Sequence, residues 1–239
     1  ITSYINPQPV VYPYKYTRNN IIVKLVELKD YDIVSELGGN DEFIKSWVLY
    51  KKGDYSHSML VARDAMDKIQ DKPDKYDLRW RLVYPVIFYD DIKKYADETG
   101  NNPPLMLALT REESYFDPLA QSIVGASGLM QLMPSTANEI NLKYKLGLNI
   151  SDALFNPYKN IKLGNYYYEF LRRNLEGYDI SSVAAYNGGI GSIQKWKTTL
   201  HYNDTDEFVE QIPYPETQNY VKKVFRSYWN YIRIYNGND

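Results

Sequence analysis

The sequence predicts an all-α fold, and three observations carry that prediction. Apolar residues recur at the 3.6-residue spacing of a helix through most of the 239 residues. Prolines and glycines stand where helices start and stop. Two alternating apolar/polar runs never face each other across a hairpin turn, and a small ribbon near 118–131 is the one short pairing the pattern allows.

Taken in order, residues 1–16 hold Pro7, Pro9 and Pro13 among tyrosines and read as an extended arm. From Thr17 the pattern turns helical. Ile21, Ile22, Leu25, Val26 and Leu28 form an apolar stripe, and Gly38-Gly39 punctuates it. Phe43, Trp47 and Tyr50 share a face, Gly53-Asp54 breaks the chain, and Met59, Ala62, Ala65 and Met66 begin another helix. Short paired helices of this kind stack as α-hairpins, here without a clean repeat. The polar, proline-interrupted stretch Gln70 to Tyr76 is the expected boundary. This divides the chain into an arm (1–16), a small helical domain (17–76) and a larger domain (77–239).

Beyond the boundary a helix is expected over 86–98, ended by Gly100. Asn102 then precedes Pro103-Pro104, a strong start signal because proline in the first turn loses no needed hydrogen bond. That helix runs to Ser114, and further helices are expected at 135–141, 157–174, 180–186, 189–197, 205–211 and 215–235.

Composition excludes several kinds of function. With no cysteine there is no disulfide or thiolate metal site, and His57 and His201 are too few for a histidine cage. Both read as surface or packing residues. The longest apolar run, Leu105 to Leu109, is far short of the roughly 20 residues that span a bilayer. A net charge of -2 leaves no electrostatic footprint for nucleic acid. The start at Ile1, without a charged and then apolar leader, reads as a processed product or a fragment. The 25 tyrosines admit two readings, core packing for most of them or an aromatic sugar-binding groove.

Three clusters could carry chemistry. The helix at 103–114 is apolar on nearly every side, as buried helices are, yet ends in Arg111-Glu112-Glu113-Ser114. Glu113 continues the stripe of Met106, and Glu112 follows Leu105 and Ala108 in the same way. A carboxyl against apolar surface keeps its proton to higher pH, as a general acid must. Spacing alone does not choose between them. Gly125 to Pro134 and Ala184 to Gly191 hold five of the 13 glycines and read as shaped loops, neither one a phosphate loop.

Together these clusters resemble the soluble lytic transglycosylase catalytic domain of glycoside hydrolase family 23, related to goose-type lysozyme. Ala108 to Ser114, Gly125 to Ala137 and Ala185-Tyr186-Asn187-Gly188-Gly189 are similar to its successive motifs. Leu154-Phe155-Asn156-Pro157 with Asn160 to Gly164, and Ile212 to Val221, are similar to two further segments. The resemblance spans about residues 80–235 in order. It implies a lysozyme-like catalytic domain, preceded by a linker-type α-hairpin domain. The family often has Gln at the position of Glu112, and Asn-Ala-Gly-Pro-Gly where Asn187 to Gly191 stand.

By the same resemblance the catalytic acid falls on Glu113, and Asp117, before Pro118, reads as a turn residue. Ser122, Gln131 and Met133 match residues lining the sugar sites, Tyr186 the tyrosine beside the acid, and Asn187 and Glu216 groove positions. Glu216 also suits the start of a helix after Pro215, and methionine fills cores equally well. The implied activity is cleavage of the bond between N-acetylmuramic acid and N-acetylglucosamine without water, leaving a 1,6-anhydro ring. It needs no cofactor and no metal. The implied partners are peptidoglycan glycan strands, and other cell-wall proteins, in the periplasm or cell envelope of a bacterium. A hydrolase on the same fold and a non-catalytic wall-binding module are the competing readings.

Overall fold

The computed structural model describes residues 4–10, 20–37 and 40–236, and among them every regular element is a helix. The expected arm is described only over 4–10, which has no regular structure. Its remaining residues, the helical start at Thr17, and Gly38-Gly39 lie outside the described residues.

The chain divides into two compact units. The smaller takes the described residues of Ile5–Ile87, Tyr115–Asp117 and Asn230–Asp239. It contains α1 (Asn20–Glu27), α2 (Tyr31–Leu37), α3 (Glu42–Lys51), α4 (Tyr55–Asp67) and α5 (Trp80–Val83). Asp41 starts α3 by accepting the N–H groups of Phe43 and Ile44, and Asp54 caps α4 through His57 N–H. These two helices form a hairpin. Ser46 and Ser58 are small enough to let the backbones approach, and each hydroxyl donates to the other's carbonyl at 2.8 Å. Trp47, Met59, Ala62 and Met66 seal the contact. After α4 the chain at 70–76 is not helical, and Lys72 Nζ satisfies the orphan carbonyls of Met66, Asp67 and Ile69. Tyrosines close the unit: Tyr231 packs edge-on against Tyr84 at 5.7 Å and donates to Pro85 O, while Tyr235 donates to Tyr84 O.

The larger unit takes the described residues of Ile1–Tyr4, Phe88–Ser114 and Pro118–Trp229. In order it holds α6 (Tyr89–Thr99), α7 (Pro103–Ser114), α8 (Pro134–Lys143), α9 (Ile150–Ala153), α10 (Pro157–Asn174), α11 (Asp179–Gly188), α12 (Ile190–Thr199) and α13 (Thr205–Glu210). Most of α14 (Pro215–Tyr235) follows; its residues from Asn230 on belong to the smaller unit. Every side chain of α7 from Leu105 to Leu109 is buried, as an all-apolar helix requires. Helix α10 packs against α6, α8, α9 and α11.

Helix α6 starts at Tyr89 rather than 86 because Phe88 takes φ 54°, a left-handed conformation that cannot continue a helix. The expected ribbon reduces to two isolated antiparallel bridges, Gln121 to Ser127 and Ser127 to Leu132. The four-residue α5 and α9 escape the sequence pattern because one turn shows no period. Helix α9 still matters: Ala153 joins Leu132, Ile140 and Leu163 in a buried cluster beneath Tyr167 and Tyr186.

Candidate active site

Helix α7 delivers two consecutive carboxylates to different surroundings. Glu112 accepts hydrogen bonds from the Arg111 guanidinium and from Ser227 Oγ on α14, and only 5% of its side chain is exposed. It is held as an anion in a buried ion pair. Glu113 has no cation beside it in the described ion pairs. Its Oε1 accepts a hydrogen bond from Tyr220 Oη, and the carboxyl sits in a half-buried recess. Burial lifts its pKa from the usual 4.5 to about 8, the Glu112 charge adds to the rise, and the Tyr220 bond opposes it.

Three tyrosines surround this carboxyl. Tyr220 touches it directly, and the phenols of Tyr167 and Tyr186 lie close enough to have their own pKa values raised by burial and by its charge. Tyr186 is fixed twice, by its hydroxyl donating to Met130 O at 2.8 Å and by its ring packing on Tyr167 at 5.0 Å. The carbonyl it meets belongs to the Gly125–Pro134 loop, held by Asn160. Asn160 Oδ1 accepts Met130 N–H at 2.8 Å, and Nδ2 donates to the carbonyls of Leu154 and Ser127. Ser114 Oγ ties the same loop to α7 by donating to Leu129 O. Two glycines make that approach feasible. A Cβ on Gly128 would lie 2.0 Å from Leu154 O, and one on Gly164 would lie 2.2 Å from Met130 Sδ.

A second feature is a cavity of about 350 Å³ on the α11–α14 side, lined by Asn187, Gly188, Tyr214, Glu216 and Thr217. Tyr214 stands half-exposed, edge-on against Trp196 at 4.9 Å, and Thr217 Oγ1 donates to Asn187 Oδ1 at 2.7 Å.

The model of the transglycosylase SLT domain matches residues 90–209, half of the chain. The chain belongs to this family. It is 35% identical over 156 residues to the soluble lytic murein transglycosylase of Escherichia coli, covering 64% of this chain and 24% of that protein. The chain therefore spans about a quarter of the length of that curated relative. Among solved structures it is similar to the lytic transglycosylase Slt of Pseudomonas aeruginosa, an inactive mutant with glutamine in place of a glutamate. The TM-score is 0.72 at 26% identity, with 88% of this chain and 34% of that one covered. The 70 kDa soluble lytic transglycosylase of Escherichia coli shares the fold at TM-score 0.70 and 24% identity, over 96% of this chain and 37% of that one. Its likeness bears out the all-α, lysozyme-like expectation.

The SLT domain brings the residues singled out in the sequence to several places. Glu113 and Tyr186 meet in the tyrosine-lined recess, and Asn187 and Glu216 share the second cavity. Ser122 and Gln131 lie in the loop and shape it. Ser122 Oγ accepts Ala126 N–H at 2.9 Å, and Gln131 Nε2 donates to the carbonyls of Ala120 and Gly128. Met133 fills no core: it is 37% exposed at the start of α8. His57 pairs with Asp54 at the surface, and His201 is exposed. Sequence reasoning missed Tyr220 and Tyr167 as neighbours of the acid. For Tyr220 a signal existed, its place in the last family segment; for Tyr167 there was none.

Proposed function

We propose that this chain is the catalytic portion of a peptidoglycan lytic transglycosylase, acting in a bacterial cell envelope. The observation that carries the reading is Glu113, a carboxyl that keeps its proton to about pH 8 within reach of solvent. In the protonated form it donates to the glycosidic oxygen between N-acetylmuramic acid and N-acetylglucosamine, and the C1–O bond breaks. The positive charge at C1 is stabilised by the neighbouring N-acetyl oxygen and by the dipoles of the site, among them the phenol of Tyr186. The C6 hydroxyl oxygen then bonds to C1 while the ionised Glu113 takes its proton. The 1,6-anhydro ring closes, the acid is regenerated, and no water is consumed.

Tyr220 serves both half-reactions. Its hydroxyl steadies the carboxylate that forms after the first proton transfer, and it fixes Oε1 in place for the second. Asn187, Glu216 and Met133 would line the glycan groove around this centre, and Ser122 and Gln131 would shape its floor. The helices of residues 17–76 would act as the linker-type domain. The glutamate-to-glutamine mutant of the Pseudomonas relative is inactive by its own description, which supports one glutamate as indispensable there.

The test is mass spectrometry of digested peptidoglycan with the native chain and the Glu113→Gln variant. Anhydromuramyl products from the native chain, and at least a ~100-fold loss in the variant, are expected. Reducing ends with one added water would make the protein a hydrolase. Unchanged activity in the variant would remove Glu113 from the chemistry.

A further inference from the structure

The backbone next to the acid is strained. Tyr115 and Phe116, two and three residues after Glu113, take φ 49° and 60°, the left-handed region that disfavours residues carrying a Cβ. Seven non-glycine residues take positive φ among those described, and these two are the one adjacent pair. Lys29, Lys145 and Glu176 show what a single such residue does. Each is exposed just beyond a helix end and precedes the donor of a cap bond: Asp30 N–H to Leu25 O, Leu146 N–H to Asn141 O, and Gly177 N–H to Arg172 O. One left-handed residue completes a helix end, and glycine usually supplies it. Capping of α7 therefore calls for one such residue, and it does not call for Phe116.

Side chains hold the pair in place. Phe116 is 1% exposed, one of the largest fully buried side chains. Tyr115 is half-buried, and its hydroxyl accepts from Arg63 Nη1 of α4 at 3.5 Å. With Asp117 they belong to the smaller unit, whereas Ser114 and Pro118 on either side belong to the larger. The chain thus makes a three-residue excursion between the acid helix and the loop of Ser122 and Gln131. Ser114 fixes its start, with Oγ donating to Leu129 O at 2.8 Å. Pro118 closes it by disfavouring a helical Asp117. Unfavourable backbone angles persist where the surroundings over-determine them, and here they adjoin the carboxyl to which the proposed function gives the chemistry.

We infer that Tyr115 and Phe116 are positioning residues: the smaller unit grips them, and their left-handed backbone sets the last turn of α7 so that Glu113 meets Tyr220 in the recess. The inference rests on the proposed function and gives the helices of the smaller unit a part in it, as the anchor of the acid. Without the grip the pair relaxes toward ordinary angles and turns the end of α7 with it. The carboxyl then leaves the recess. Because burial is the largest influence on its proton, that proton is released at lower pH.

The test uses the full chain, with the Glu113 carboxyl followed by carbon NMR across pH and the rate on soluble peptidoglycan fragments measured in parallel. Tyr115→Ala removes the hydroxyl held by Arg63 and keeps the Cβ that opposes a left-handed backbone. Its carboxyl midpoint should fall by about one pH unit or more. Its kcat should fall about tenfold or more with KM within about twofold, the signature of a misplaced reacting group. Tyr115→Gly also loses the side chain yet accepts the left-handed angles, so it should recover most of both losses. A purely structural cap would change the melting temperature of these variants and leave midpoint and kcat in place. Phe116→Leu keeps the buried site apolar; its midpoint should move in the same direction, and it carries the test if Tyr115→Ala does not fold. A native midpoint in folded Tyr115→Ala or in Phe116→Leu, or a Tyr115→Gly protein as impaired as Tyr115→Ala, would overturn the inference. A native chain that yields no anhydromuramyl products counts against the proposed function instead, and the carboxyl midpoints still decide the positioning.

Discussion

Replacing Glu113 by Gln should stabilise the protein in alkali and leave it unchanged in acid. The unfolded chain ionises this carboxyl near its usual 4.5, and the folded chain holds the proton to about 8. Below pH 4.5 both states are protonated, and the glutamine variant should match the native protein. Between those two values the unfolded state has given up a proton that the folded state still binds. Each pH unit there subtracts about 1.4 kcal/mol from native stability, to a ceiling of about 5 kcal/mol. The recess is partly open to solvent, which screens the charge and brings the working figure to about 2–3 kcal/mol. Glutamine keeps an oxygen to accept from Tyr220 and carries no charge to bury. For a chain of this size the gain at pH 9 corresponds to about 5–10 °C in melting temperature. Differential scanning calorimetry of both proteins at pH 4.5 and pH 9 reads it directly. An equal difference at both pH values, or none at pH 9, would refute the claim that the fold holds this proton.

Two substitutions should move the alkaline limb of the activity profile in opposite directions. Tyr220→Phe removes the bond that favours the carboxylate, so the limb shifts to higher pH; turnover near neutrality should fall about tenfold, the worth of a hydrogen bond to a charged group. Glu112→Gln removes the neighbouring negative charge, so the limb shifts to lower pH, measurable in the same rate-against-pH series. Gly164→Ala should cost about 1–3 kcal/mol in urea unfolding, because the new methyl meets Met130 Sδ, and Met130→Ala in the same chain should recover part of that loss. Asn160→Ala should cost about 2–4 kcal/mol by the same measurement, since Met130 N–H and Leu154 O lose their partner while Ser127 O keeps only Leu132 N–H.

What the sequence disclosed follows from how far apart the interacting residues stand. Helices α10 and α14 appear with the bounds their proline starts predict, and buried α7 appears as an apolar run, because local spacing and caps fix them. The choice between Glu112 and Glu113 was not readable from spacing, since it depends on Ser227 and Tyr220, more than a hundred residues away. The resemblance chose Glu113, and the pairing of Glu112 with Arg111 supplies the physical reason. Asn160 stood in a recognised segment without a role; its three hydrogen bonds to the 127–154 backbone give it one. The tyrosines divide in the same way. Tyr231 and Tyr235 pack the smaller unit, while Tyr167, Tyr186 and Tyr220 reach the acid only through the fold.

The contrast between adjacent carboxyls on α7 also makes the protein chemically addressable. Diazo reagents esterify carboxylic acids and spare carboxylates, so the residue that keeps its proton at neutral pH is the one they find. Glu112 is locked against the Arg111 guanidinium, which blocks its approach to the reagent. A small diazo compound at pH 7 would therefore mark Glu113 beside an almost identical neighbour, and a single tryptic peptide would report whether the recess is open, filled or blocked.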